Sequence, residues 1–153
     1  MVQSTTPVRS SYYLPTIASL PDGNYRYVTV NNTAMTDAEL AQTDSLIFLF
    51  QKTGNKIIGQ LSIENGSQKI CISGEVNVNT ITGQAIELFE NLEEVEVKNS
   101  SEEFMNWDVA GSLRVRRSTT EANKVIYKSA IFDLNGYNRT NTGTELPPMR
   151  CSF

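Results

Sequence analysis

At 153 residues, with 39% apolar residues, 8% aromatics and a net charge of −4, the chain has the length of one domain with a core of its own, and it lacks the basic surface that nucleic-acid phosphates call for. It contains no histidine, which excludes Ser-His-Asp and Cys-His nucleophiles, histidine general bases and histidine-ligated zinc, and two cysteines alone cannot build a structural zinc site. An enzyme would have to rely on carboxylates, Lys, Tyr or a borrowed cofactor, so the chain is expected to be no enzyme, with no catalytic residues, no metal and no cofactor.

Residues 1–20 are polar and punctuated by Pro7 and Pro15, with Pro21 just beyond. They predict an extended leader, suited either to an exported protein whose signal has been removed or to an ordinary frayed terminus. Turn signals then recur about every ten residues between β-branched and aromatic runs, the spacing of an all-β sandwich or barrel. Asp22-Gly23 opens a first strand, Asn24–Val30. Thr36–Glu39 (TDAE) is a capping box that predicts a short helix to about Gln42. The second strand, Ser45–Lys52, is apolar on both faces. It holds the longest apolar run, Leu46–Phe50, far short of the ~18–20 residues that cross a membrane. Thr53-Gly54-Asn55 is a hairpin turn into a third strand, Lys56–Ile63. Asn65-Gly66 is a second turn into a fourth, Lys69–Val78, which alternates cleanly. A turn at Asn77–Thr80 leads into a fifth strand, Ile81–Phe89.

Asn55–Gln60 (NKIIGQ) and Asn79–Gln84 (NTITGQ) repeat the pattern Asn-x-Ile-x-Gly-Gln. Both copies begin where a turn delivers the chain into a strand. Asn serves the turn, Ile points to the core, and Gly permits a bend or close backbone approach. Asp108–Leu113 is a third echo. Glycines at Gly59, Gly74, Gly83 and Gly111 are therefore read as points of sheet curvature.

Downstream, Val95 and Val97 alternate with charges as a short sixth strand. Ser100–Glu103 is a second capping box, predicting one or two helical turns with Phe104 and Trp107 toward the core. A seventh strand, Val109–Arg116, has Val109, Leu113 and Val115 inward. An eighth spans Lys124–Leu134, and Asn135-Gly136 turns the chain into a polar tail. The expected fold is one all-β domain over residues 21–140, an antiparallel up-and-down β-barrel of about eight strands with one or two short helices, followed by a tail over residues 141–153. Such a barrel holds side chains or one small ligand. The inward set is Tyr25 and Tyr27 from the first strand, Phe48 from the second and Ile57 and Leu61 from the third. Ile72 and Val76 from the fourth, with Leu113 and Tyr127 from the last two, complete it as the candidate ligand-binding residues.

Other candidates have plainer readings. Acids cluster over Glu87–Glu96 (ELFENLEEVE), where the run of Glu93, Glu94 and Glu96 reads as a solvated face, and Arg114, Arg116 and Arg117 read as a charged sheet edge. Cys71 and Cys151 form a disulfide in an exported protein, or two free thiols in a reducing compartment.

The first-strand Gly23-Asn24-Tyr25, the meander punctuated by Gly54-Asn55 and Asn65-Gly66, and a cysteine in strand four with another near the C-terminus resemble the calycin group, that is, lipocalins and their bacterial relatives. Phrases such as LPDGNYRY and FQKTGNKIIGQ are similar to small lipocalin-like proteins of cyanobacteria. The resemblance spans about residues 20–140. Tyr25 stands where lipocalins carry Trp in Gly-x-Trp, and the long helix after the barrel has no counterpart. It implies a Cys71–Cys151 bridge tying the tail to the barrel, and a binding module for a small apolar or pigment-like ligand in the periplasm or envelope. The alternative is a structural or protein-interaction domain with a filled core. No nucleic acid and no membrane span are expected, and the oligomeric state is left open.

Overall fold

The structure, a computed structural model, describes residues 15–29, 45–63, 68–89 and 102–151. The helix at Thr36–Glu39, the Asn65-Gly66 turn, the acids from Glu90 to Glu96, the strand at Val95 and Val97, and the start of the second capping box at Ser100 lie outside the described residues. Within them the strands are β1 (Gly23–Val28), β2 (Leu46–Thr53), β3 (Lys56–Ile63), β4 (Lys69–Asn77), β5 (Thr80–Leu88), β6 (Met105–Asn106), β7 (Leu113–Glu121), β8 (Lys124–Asp133) and β9 (Asn138–Thr140). A 3₁₀ turn, Ile17–Ser19, precedes them. No helix among the described residues is long and apolar enough to cross a membrane.

All nine strands belong to one antiparallel sheet, in the order β6-β7-β8-β5-β4-β3-β2-β1-β9. The expected meander holds from β1 to β5 and then breaks. β8 pairs with β5, β7 pairs back onto β8, and β9 lies at the far edge beside β1. The hydrogen-bonded ladder therefore stays open, with β6 and β9 as edges, and does not close as an up-and-down barrel would. The sheet is nevertheless rolled. From Asp133 to Asn138 the chain can span at most ~19 Å. In a flat sheet the six inter-strand steps from β8 to β9 would separate them by ~29 Å. Curling also brings the Phe48 ring of β2 to within 4.7 Å of the Phe132 ring of β8, edge to face.

The repeated Asn-x-Ile-x-Gly-Gln segments do in the sheet what their chemistry suggests. Asn55 and Asn79 sit in hairpin turns, and their carbonyls accept the N–H groups of Val76 and Leu134, extending the ladder past each turn. Ile57 and Ile81 are fully buried. A Cβ at Gly59 would stand 2.5 Å from Phe50 Cβ and 2.7 Å from the Phe48 ring, so this glycine makes room for the aromatics. Gly74 and Gly83 are directly paired, and a Cβ on Gly83 would stand 2.0 Å from the Ser73 carbonyl oxygen. They mark the crease where β4 and β5 fold toward each other. One residue on, the β5–β8 register shifts between Gly83 and Ala85, a bulge that adds to the bend. Gly111 belongs elsewhere: it lies in a loop at φ +75° beside Asn106.

Three hairpins share one form, two of them at turns expected from the sequence and the third, Ala122-Asn123, not foreseen there. Gly54-Asn55, Val78-Asn79 and Ala122-Asn123 are two-residue turns with φ of 63°, 58° and 51° at their first residue. Only the first has the glycine such a position favours.

The β6–β7 region departs most from expectation. Helical turns were expected before Trp107, but Met105 and Asn106 are extended and pair with Val115 and Arg114. In an extended chain Phe104 and Trp107 take opposite faces. Trp107 packs against the core, whereas Phe104 lies outside beneath Arg116, whose guanidinium carbon is 4.4 Å from the ring centroid. β7 begins at Leu113, not Val109, and Val109 is fully exposed instead of inward. The cause is the buried Asp108 carboxylate, which accepts the N–H groups of Ser112 (3.1 Å) and Leu113 (2.8 Å) and the Ser112 hydroxyl (2.9 Å). That cap folds residues 108–112 into a loop with Val109 at its tip. Before β1 the close of the leader is built in: Ile17 and Leu20 are buried in the core, the Ile17 N–H donates to Asn79 Oδ1, and the Lys52 ammonium donates to the Leu20 carbonyl at 2.7 Å.

Candidate functional site

Alternation along each strand sends one set of side chains into the roll. The nine residues expected inward all lie in a single apolar core, joined by Phe50, Ile70, Ile81, Ala85 and Phe132. Phe48, Ile57, Leu61, Ile72 and Leu113 have no exposed surface. Even Tyr27, the most accessible of the nine, is only 9% exposed. The aromatics touch one another: Phe48 stacks on Phe50 at 4.9 Å, and Tyr25 and Tyr27 meet Phe50 at 5.6 and 5.7 Å. These separations are those of favourable ring pairs, worth about 1 kcal/mol each beyond burial.

The polar groups that would orient a ligand are engaged. Tyr25 donates its hydroxyl to the Pro21 carbonyl at 2.6 Å. Tyr127 donates to the Glu87 carboxylate at 3.2 Å, and Glu87 is itself buried in the roll. Burial pushes the Tyr27 phenol above its ordinary range, an effect the nearby Arg139 charge partly opposes.

Among the depressions at the surface of the described residues are two clefts and a groove. A groove of about 660 Å³ crosses β3, β4 and β5 beside Ser73 and Gln84, between Lys56 and Glu75. A cleft of about 320 Å³ lies where the two ends of the rolled sheet approach, lined by Leu46, Gly111, Ser112, Asp133 and Tyr137 among others. Here the Ser112 and Tyr137 hydroxyls hydrogen-bond at 2.9 Å, bridging the chain before β7 to the chain before β9. Burial drives the Tyr137 phenol far above its usual range, more than the Ser112 bond lowers it.

A second cleft, of about 480 Å³, opens where β9 parts from β1. β9 pairs only with Arg26–Val28, so Asn24 and Tyr25 face the fork that Asn141 and Thr142 complete. Arg139 lies opposite Tyr27, and its guanidinium carbon sits 4.9 Å from the Tyr25 ring centroid. Sequence reading passed over Arg139, since nothing in a polar tail announced a ninth strand.

Cys71 and Cys151 are joined by a disulfide. Cys71 faces outward on β4, in register with Gln60 and Ile86, as the strand's alternation required. The bridge draws the tail after β9 back to the middle of the sheet. Arg114 and Arg116 flank Phe104, and Arg117 pairs with Glu102 at 2.8 Å on the surface. Among the described residues no group of three or more Cys, Asp or Glu side chains is placed to hold a metal ion. No family model, no curated protein and no solved structure matches the chain.

Proposed function

We propose that the domain is a non-catalytic interaction module with a filled interior, acting through its surface and sheet edges in an oxidising compartment such as the periplasm or envelope. One observation carries this reading. The nine inward residues, which a lipocalin-like carrier would turn toward its ligand, are in contact with one another, and the Phe48–Phe132 pair bridges the roll from wall to wall. The disulfide supports the oxidising compartment. The carrier reading would require those rings to part.

Native mass spectrometry of the protein purified from its own source, together with titration by an environment-sensitive apolar dye, separates the two. The expected result is the bare chain mass and no saturable dye signal from the folded protein. A co-purifying small molecule, or stoichiometric dye binding abolished by Phe48→Trp, would establish the carrier instead.

A further inference from the structure

We propose that the fork between β1 and β9 binds the carboxylate of an acidic saccharide, with Arg139 as its anchor. The inference rests on the reading of the domain as a surface-acting module and names the surface and its ligand class. Asn24, Asn141 and Thr142 supply amides and a hydroxyl that both donate and accept, the complement of a hydroxylated sugar. No acid lines the cleft. Among the described residues Arg139 has no carboxylate partner, and its contact is the Tyr25 ring beneath it. Stacking on an aromatic holds the guanidinium plane in place while leaving its N–H fork for an oxyanion.

The charge count selects the ligand. One guanidinium meets one carboxylate in a bidentate pair. A phosphate monoester carries nearly two charges, and the cleft has no second cation for it. A peptide would bring apolar side chains, for which these walls offer only the buried Tyr25 ring.

The test is a titration of the full-length, disulfide-bonded protein with trigalacturonic acid. It is followed by amide and Arg Nε–Hε NMR shifts and repeated with the trimer's methyl ester and with inorganic phosphate. The expected result is saturable shifts at Asn24, Arg139 and Asn141, with affinity falling about tenfold or more for the ester and for Arg139→Gln. Arg139→Lys retains part of the affinity, because it keeps the charge and loses the fork. The proposal is overturned by equal binding of acid and ester, by phosphate competing as well as the trimer, or by no saturable shift in the millimolar range typical of weak single-anchor sites. If Arg139→Gln melts at the wild-type temperature yet binds unchanged, Arg139 is not the anchor. None of these failures would reopen the interior, which the dye and mass measurements judge separately.

Discussion

At Gly83 the backbone of β4 leaves no room for even a methyl group. Its Cβ would collide with the Ser73 carbonyl at 2.0 Å and with the Gly74 Cα at 2.5 Å, both backbone atoms of the paired strand. Neither can rotate aside as a side-chain tip would. Val78 presents the converse case. It holds a φ of 58° with a β-branched side chain that is 55% exposed and so gains little packing in return. L-residues other than Gly pay about 1 kcal/mol or more in that region. The two substitutions therefore run in opposite directions. Val78→Gly raises stability by about 0.5–1 kcal/mol, relief of strain outweighing glycine's extra chain entropy. Gly83→Ala lowers it by about 3 kcal/mol, because two strands must part to admit the methyl. Urea midpoints of the two variants check both signs, and a neutral Gly83→Ala would mean that the crease is not tightly closed.

Between elements, the join that matters is the one between the chain before β7 and the chain before β9, where backbone pairing is missing and side chains substitute for it. Tyr137 packs edge to face on Phe132 at 5.5 Å and shares a hydrogen bond with Ser112. Ser112 is in turn held by the buried Asp108. Because burial raises the folded pKa of Tyr137, the folded state favours the neutral phenol. The contribution is fully present below the unfolded tyrosine value of about 10, and it is lost as pH climbs from there toward the folded value. Wild-type stability should thus fall steeply above about pH 10. Tyr137→Phe should start about 1 kcal/mol lower at neutral pH for its lost hydrogen bond, with a shallower alkaline limb. Urea midpoints measured from neutral pH into the alkaline range read out both, and parallel alkaline limbs would refute the role given to Tyr137.

The same join shows where sequence reading ran out. β2 to β5 were legible because each hairpin is local: Gly54-Asn55 and the Asn-x-Ile-x-Gly-Gln repeats specify turn, core position and bend within six residues. β6, β9 and the bounds of β7 were not, because their partners are chosen by tertiary contact. Ser100–Glu103 and the spacing of Phe104 and Trp107 satisfy a helix locally, yet residues 105–106 gain ladder partners on β7 that a helix would forgo. Asp108 was read as part of a glycine motif, when its carboxylate caps two backbone N–H groups and so delays the strand to Leu113. The nine candidate residues were placed on the right face because a strand has only two. Whether that face encloses a ligand depends on ring packing across the roll, and alternation carries no information about that.

For the molecule as a whole, the open ladder poses a mechanical problem that the disulfide answers. A closed barrel has no edge to fray. Here β9 is three residues long, pairs with β1 alone, and is followed by a tail whose Leu146 and Met149 are more than 80% exposed. Such an edge would open far more readily than β2–β5, where each strand is paired on both sides. The Cys71–Cys151 bridge links the end of that tail to β4, four strands in from the β9 edge. It closes a loop with a sequence separation of 80 residues, for which the chain-entropy model gives an upper figure of about 4.5 kcal/mol. If the bridge acts mainly on the unfolded chain, Cys71→Ser with Cys151→Ser lowers global stability by about 2–4 kcal/mol and leaves the protection pattern of the native sheet uniform. If it also fastens the edge, hydrogen exchange in the variant accelerates at Asn138–Thr140 and at the β1 residues they pair with, while β3 and β4 exchange at the rate set by global unfolding. We expect the second pattern, since β9 is held on one side only. Uniform acceleration across all strands would assign the bridge to the unfolded state alone.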